Sequence, residues 1–182
     1  NINVRNSLGV CYGLLGRLDL AKQEFSAAIG CNGTEVMALY NLGLVHLLLT
    51  DREKALDYLQ KAQKLGGDIF EVTFQTGRLL LEMGETETSR PYIERSIELN
   101  PSSSQAYRIL GDYFLARALL SEAVGAYKKA IKLNPSDAAA LSALGGVYDL
   151  RDENTEIATL YCEKSVQLAP EEGLFHLRLG KL

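Results

Sequence analysis

Gly9, Gly43, Gly77, Gly111 and Gly145 stand 34 residues apart, and Gly180 follows 35 residues after the last of them. Leucine precedes the glycine at Leu8, Leu42, Leu110, Leu144 and Leu179, with Thr76 as the exception. Small residues keep the same interval at Ala21, Ala55, Ser89, Ala123 and Ala158, and again at Ala28, Ala62, Ser96, Ala130 and Ser165. A period held through so many copies constrains the fold before any other property does. One supersecondary unit is repeated, and it buries its apolar faces only by stacking on its neighbours. The repeats fall at about 2–35, 36–69, 70–103, 104–137 and 138–172, with a partial sixth at 173–182, and together they predict one stacked domain.

Each repeat reads as two helices. In the first, Val4, Leu8, Cys11, Tyr12 and Leu15 recur at three- and four-residue spacing, which is one apolar helix face. Gly16 and Asp19 break the pattern, and a second stripe runs through Leu20, Ala21, Phe25, Ala28 and Ile29. The fourth repeat uses Tyr107, Leu110, Gly111 and Phe114, then Ala123, Tyr127, Ala130 and Ile131. Second helices are expected to stop before Pro101, Pro135 and Pro170, because proline cannot continue a helix, and at Gly33 and Gly67 in the first two repeats. The expectation is all-α: ten helices and a final partial one, stacked as a right-handed solenoid of antiparallel pairs with a concave and a convex side. A glycine inside a helix costs about 1 kcal/mol relative to alanine, so its recurrence points to close packing. We expect Gly9 to face Ala21 and Gly111 to face Ala123.

The order Tyr107, Leu110, Gly111, Phe114, Ala123, Tyr127, Ala130 and Pro135 resembles the tetratricopeptide repeat. Leu8, Gly9, Tyr12, Ala21, Phe25 and Ala28 match next, then Leu141, Leu144, Gly145 and Tyr148. The resemblance covers nearly the whole chain. Departures are local: the third repeat has Thr73, Thr76 and Leu80 at large or aromatic sites and Ser89 and Ser96 for alanine. The second has His46 for an aromatic, and the fifth carries an extra residue within 151–155. The sixth stops mid-motif after Leu174, His176, Leu177 and Leu179, where an array ordinarily closes with a polar helix. The chain therefore reads as a segment of a longer protein. It also lacks an initiating Met, so a leader or a further domain is compatible with it.

Composition narrows the ligands. Net charge is −4 with a pI near 5.3, and no basic run offers a footprint for nucleic acid. Apolar runs such as Leu47 to Leu49 are far too short to insert in a membrane, and no cationic-then-apolar leader opens the chain. Cys11, Cys31 and Cys162 form neither a CxxC pair nor an even framework, which suits a reducing, cytoplasmic setting. The sequon Asn32-Gly33-Thr34 sits where a turn already calls for Asn and Gly. His46 and His176 lie within first helices and read as packing or solvated residues; only Glu172 is one turn from His176. Neither a phosphate-cradling loop nor a nucleophile elbow occurs, so we expect no enzyme activity, no metal and no cofactor.

In the family the first helix of each pair lines a concave groove that receives a peptide or helix of a protein partner. That resemblance implies groove positions at Asn6, Tyr40, Asn41, Leu44, Phe74, Gln75, Arg78, Arg108, Asp112, Ser142 and Arg178, with Glu71, Glu82 and Asp149 beside them. Charged members also suit a merely solvated face, whereas Tyr40, Leu44 and Phe74 would form an apolar patch. The Lys, Arg and Asn clamp of chaperone-tail binders is not matched: Asn41 has no lysine and arginine at the corresponding sites. The asparagine ladder of O-GlcNAc-type transferases is absent too, since Gln75, Ile109 and Ala143 follow Asn41. With Lys181 added, these positions carry four acids and four bases, which favours a mixed-charge, amphipathic partner segment. A regulatory or targeting arm of a larger enzyme or signalling protein stays open beside the scaffold reading. So does self-association through ends bearing Val4 and Leu8 on one side and Leu177 and Leu179 on the other.

Overall fold

A computed structural model describes residues 1–31, 35–151 and 155–181. The sequon at 32–34, the Gly33 stop, most of the long turn of the fifth repeat and Leu182 lie outside the described residues. Eleven helices are present among them: α1 (Ile2–Leu14), α2 (Leu18–Cys31), α3 (Val36–Leu48), α4 (Arg52–Gly66), α5 (Phe70–Glu82), α6 (Thr86–Leu99), α7 (Ser104–Ala116), α8 (Leu120–Leu133), α9 (Ala138–Leu150), α10 (Thr155–Leu168) and α11 (Gly173–Leu179). The first helices of the pairs therefore begin at the 34-residue interval read from the glycines. Side chains of Asn1, Asp51, Ser103 and Asp137 accept from backbone N–H groups at four helix starts, satisfying donors the helices leave unpaired.

Helices α6, α8 and α10 end two residues before Pro101, Pro135 and Pro170, and Gly67 closes α4 with its N–H donating to the Gln63 carbonyl. Pro91, which the pattern did not single out, lies inside α6. Within the pairs the chain turns through a left-handed residue at Gly16, Thr50, Gly84 and Ala118, again at the 34-residue interval. Glycine takes that conformation freely, whereas Thr50 and Ala118 hold it at a cost of about 1–2 kcal/mol.

The helices form two compact units, Asn1–Arg95 and Ser96–Leu182, divided within α6. In the first, α1 packs on α2, α2 on α3, α3 on α4 and α4 on α5. Its core joins Ala21, Phe25, Leu42 and Val45; then Leu39, Ala62 and Val72; then Ala55, Leu59 and Leu79. In the second, α7 to α11 pack in the same succession, around Ala123, Val124, Tyr127, Leu144 and Val147.

The glycines do mark close approach: the matching small residues Ala55 and Ala158 put their carbonyls 3.3 and 2.9 Å from a Cβ on Gly43 and Gly145, and larger side chains come nearer still. A Cβ on Gly9 would stand 2.6 Å from Phe25 Cε1, and one on Gly111 would stand 2.5 Å from Tyr127 Cε1. The aromatic one turn beyond Ala21 or Ala123 lies over the glycine, because a helix side chain leans toward its own N-terminus. Leu59 and Cys162 take that place at Gly43 and Gly145. Two polar residues of the third repeat are satisfied locally, Thr76 donating to the Val72 carbonyl at 2.8 Å and Ser89 to that of Thr86 at 2.7 Å, while Thr73 donates to Gln63 Oε1 on α4 at 3.2 Å.

His46 is buried and stacks on Tyr58 with ring centroids 5.3 Å apart, so it fills the aromatic site as a neutral ring. Its Nδ1 lies 3.5 Å from Asp51 Oδ2, a carboxylate five residues on that one-turn spacing did not reveal. Burial holds the His46 pKa below its ordinary value, against the pull of Asp51. A depressed pKa contributes stability that is present above the unfolded value, about 6.5, and is lost as pH falls through the folded value. We expect a wild-type Tm lower at pH 5 than at pH 7.5 by more than that of His46→Phe. An equal pH difference in the two proteins would refute the assignment.

Candidate functional site

The expected groove residues divide between the two units. In the first, Asn6 on α1 accepts at Oδ1 from Asn41 Nδ2 on α3 at 3.1 Å, tying the two first helices together. Tyr40 packs over the Leu39 and Leu59 clusters. Burial raises its phenol pKa, Glu71 adds to that, and Arg78 opposes it, so Tyr40 remains a neutral donor. Phe74 stacks on Phe70 at 5.7 Å, and Arg78 Nε lies 3.4 Å from Glu82 Oε1. Gln75 is buried and offers little surface.

In the second unit, Arg108 Nε lies 3.6 Å from Asp137 Oδ2 and its Nη1 lies 3.9 Å from Asp112 Oδ2. Tyr127 donates to Asp112 Oδ1 at 2.7 Å. Asp112 keeps 36% of its side-chain surface open, yet burial pushes its carboxyl upward, against Tyr127 and Arg108. Burial first, and the Asp112 charge second, raise the Tyr127 phenol far above the usual range. Ser142 is buried and accepts at Oγ from Arg178 Nη1 at 3.0 Å. Arg178 lies across Gly146, where a Cβ would stand 3.1 Å from its Nε. His176 Nε2 lies 2.8 Å from the Pro170 carbonyl rather than on Glu172.

Two adjoining clefts of the first unit run along α1, α3 and α5, apart from one of about 280 Å³ lined by Gln63, Asp68, Thr73, Pro91, Tyr92 and Arg95. A polar one of about 730 Å³ is lined by Leu47, Leu48, Thr50, Asp51, Arg52, Glu53, Arg78 and Glu82. A nearly apolar one of about 200 Å³ is lined by Gly9, Val10, Gly13, Leu14, Phe25, Asn41, Leu44, Val45 and Leu48. Leu48 borders both. Of the expected residues, Asn41 and Leu44 reach the apolar cleft and Arg78 and Glu82 the polar one. Val10, Gly13, Leu14 and Leu48 were missed, although Leu14 is 85% exposed and Leu48 65%. The second unit has its own cleft of about 260 Å³ between α7, α9 and α11, with Arg178 and Lys181 on its wall.

Among the described residues no helix is long and apolar enough to cross a membrane, and no group of three or more His, Cys, Asp or Glu side chains is placed to hold a metal. Stacked antiparallel helix pairs, clefted along their first helices, define an all-α solenoid of the protein-interaction scaffold class. The chain belongs to the tetratricopeptide repeat family, whose models match residues 38–65, 74–138 and 119–173.

The chain is 24% identical over 123 residues to the BBSome complex member BBS4 of Bos taurus, an alignment covering 68% of this chain and 24% of that protein. It thus spans about a quarter of that curated relative. Among solved structures it resembles pilF of Pseudomonas aeruginosa, with a TM-score of 0.85 at 19% identity over 99% of this chain and 83% of the other. It also resembles TTC0263, a thermophilic TPR protein of Thermus thermophilus, with a TM-score of 0.78 at 20% identity over 100% and 98%. YrrB, described as a TPR protein with an unusual peptide-binding site, gives 0.76 at 21% identity over 98% and 91%. At these identities the likeness is one of fold.

Proposed function

We propose that this chain is a non-catalytic scaffold that holds a peptide or helix of a protein partner against the first helices of its pairs. The observation that carries the reading is the pair of adjoining clefts on the first unit, one apolar and one lined by charges of both signs. Such a surface suits an amphipathic, mixed-charge segment, whose apolar side chains gain by burial while its polar ones meet Arg78 and Glu82. The peptide-binding site described for YrrB and the complex membership of BBS4 support a protein partner. The scaffold works in a reducing, cytoplasmic setting, in keeping with the free thiols of Cys11 and Cys162.

A second reading makes this chain a targeting or regulatory arm, favoured by the span of only 24% of the curated relative. Affinity capture from host lysate tests the groove, comparing wild type with a Phe74→Ala, Arg78→Glu variant shown by circular dichroism to be folded. Tyr40 stays unchanged because it also supports the core. A partner retained by wild type and lost by the variant is the expected result. Equal capture by both would move the contact away from the first helices.

A further inference from the structure

Gly13 stands where the repeat elsewhere carries leucine. At the 34-residue interval its counterparts are Leu47, Leu81 and Leu115, and only the fifth copy departs, with Asp149. Leu47 packs against the cluster that holds Leu79 of the next first helix, and Leu115 packs against the cluster that holds Val147. The counterpart of Leu79 and Val147 beside Gly13 is Val45. A Cβ on Gly13 would meet nothing within 4 Å, and the apolar cleft between α1 and α3 opens at that point.

We propose that this notch receives one leucine-sized aliphatic side chain from a segment of a protein partner, which takes the place of the leucine the first repeat lacks. The inference rests on the interaction-scaffold reading and names the anchor of that site. The anchor is aliphatic because the walls carry no charge, and the one amide among them, Asn41, already donates its Nδ2 to Asn6. A charged side chain placed there would lose its water without meeting a countercharge. Seating an aliphatic group also covers Val10, Leu14, Leu44 and Leu48, of which Leu14 and Leu48 are otherwise the most open. The segment continues past the anchor, because Leu48 leads into the cleft bearing Arg52, Glu53, Arg78 and Glu82. Polar or charged residues of the partner flank the aliphatic one on that side.

The test uses a displayed library of short random peptides, panned against the full chain. Selected peptides are expected to share a leucine, isoleucine or methionine, and Gly13→Leu should weaken their binding roughly tenfold or more. The variant should keep its helix content and Tm, because leucine is the residue the repeat carries there and is the better helix former. Exchanging the peptide's aliphatic residue for serine should cost the same factor in wild type and nothing further in Gly13→Leu. Peptides that bind wild type and Gly13→Leu alike overturn the notch. If those peptides still fail on Phe74→Ala, Arg78→Glu, the groove reading survives; if they bind that variant equally, it falls as well. Recovery of no peptide overturns the proposal. So does a concentration-dependent mass, measured by light scattering, that Gly13→Leu abolishes, which would seat a second copy there.

Discussion

Leucine in place of Gly111 lowers the stability of the second unit by about 1–3 kcal/mol. The first atom of the new side chain would already stand 2.5, 2.6 and 2.8 Å from three carbons of the Tyr127 ring. That ring cannot swing aside. It is fully buried among Ala123, Val124, Leu144 and Val147, and its hydroxyl is held by Asp112 at 2.7 Å. Relief must come from separating α7 and α8, which gives up packing along both helices. Helix propensity works the other way by up to about 1 kcal/mol, so the net loss is a lower bound on the steric cost. Gly125→Leu on α8 is the matched control, since a Cβ there meets nothing within 4 Å, and it should leave the unit unchanged or slightly more stable. Denaturant melts of the two variants decide the matter. A wild-type midpoint for Gly111→Leu would mean that α7 and α8 do not approach through this glycine.

Leu59→Ala in the first unit should cost about 2–5 kcal/mol, the range for deleting a buried leucine. Leu59 is wholly buried and fills the space left by Gly43, with its Cγ 3.1 Å from where a Cβ on that glycine would stand. It also joins Ala55 and Leu79, so one side chain links α3, α4 and α5. Truncation leaves a cavity bounded by three backbones that cannot collapse independently, which places the loss toward the upper part of that range. Amide hydrogen exchange should report lowered protection in α3, α4 and α5 together. Leu14→Ala, at a side chain 85% exposed, should fall within about 0.5 kcal/mol of wild type. A loss at Leu59 no larger than that would remove it from the core.

The period of the glycines was enough to locate the helix pairs, because helix starts and stops depend on neighbours within a few residues. Caps at Asn1, Asp51, Ser103 and Asp137, prolines two residues past α6, α8 and α10, and the turn glycines are all local signals. Pro91 limits that rule: α6 carries a proline in its interior, where no stop was expected. Thr76 and Ser89 of the third repeat are local too, since they find their acceptors within one turn.

The candidate site was legible only in part. Asn6 and Asn41, Arg78 and Glu82, and Arg108 and Asp112 were implied by the family resemblance; Asn41, Arg78 and Glu82 line the clefts, and Asn6 is bonded to Asn41. The apolar notch was legible in principle, because Gly13 breaks a column of leucines, but a missing side chain announces nothing until its neighbours are in place.

The sequence by itself determined the repeat, the two helices of each copy, their boundaries and the stacking they require, all consequences of periodicity and short-range propensity. Only the tertiary structure decided which side chain lies over each glycine, what His46 stacks against and where a cleft opens. Those outcomes depend on the direction of each Cα–Cβ bond and on side chains meeting from helices distant in the chain.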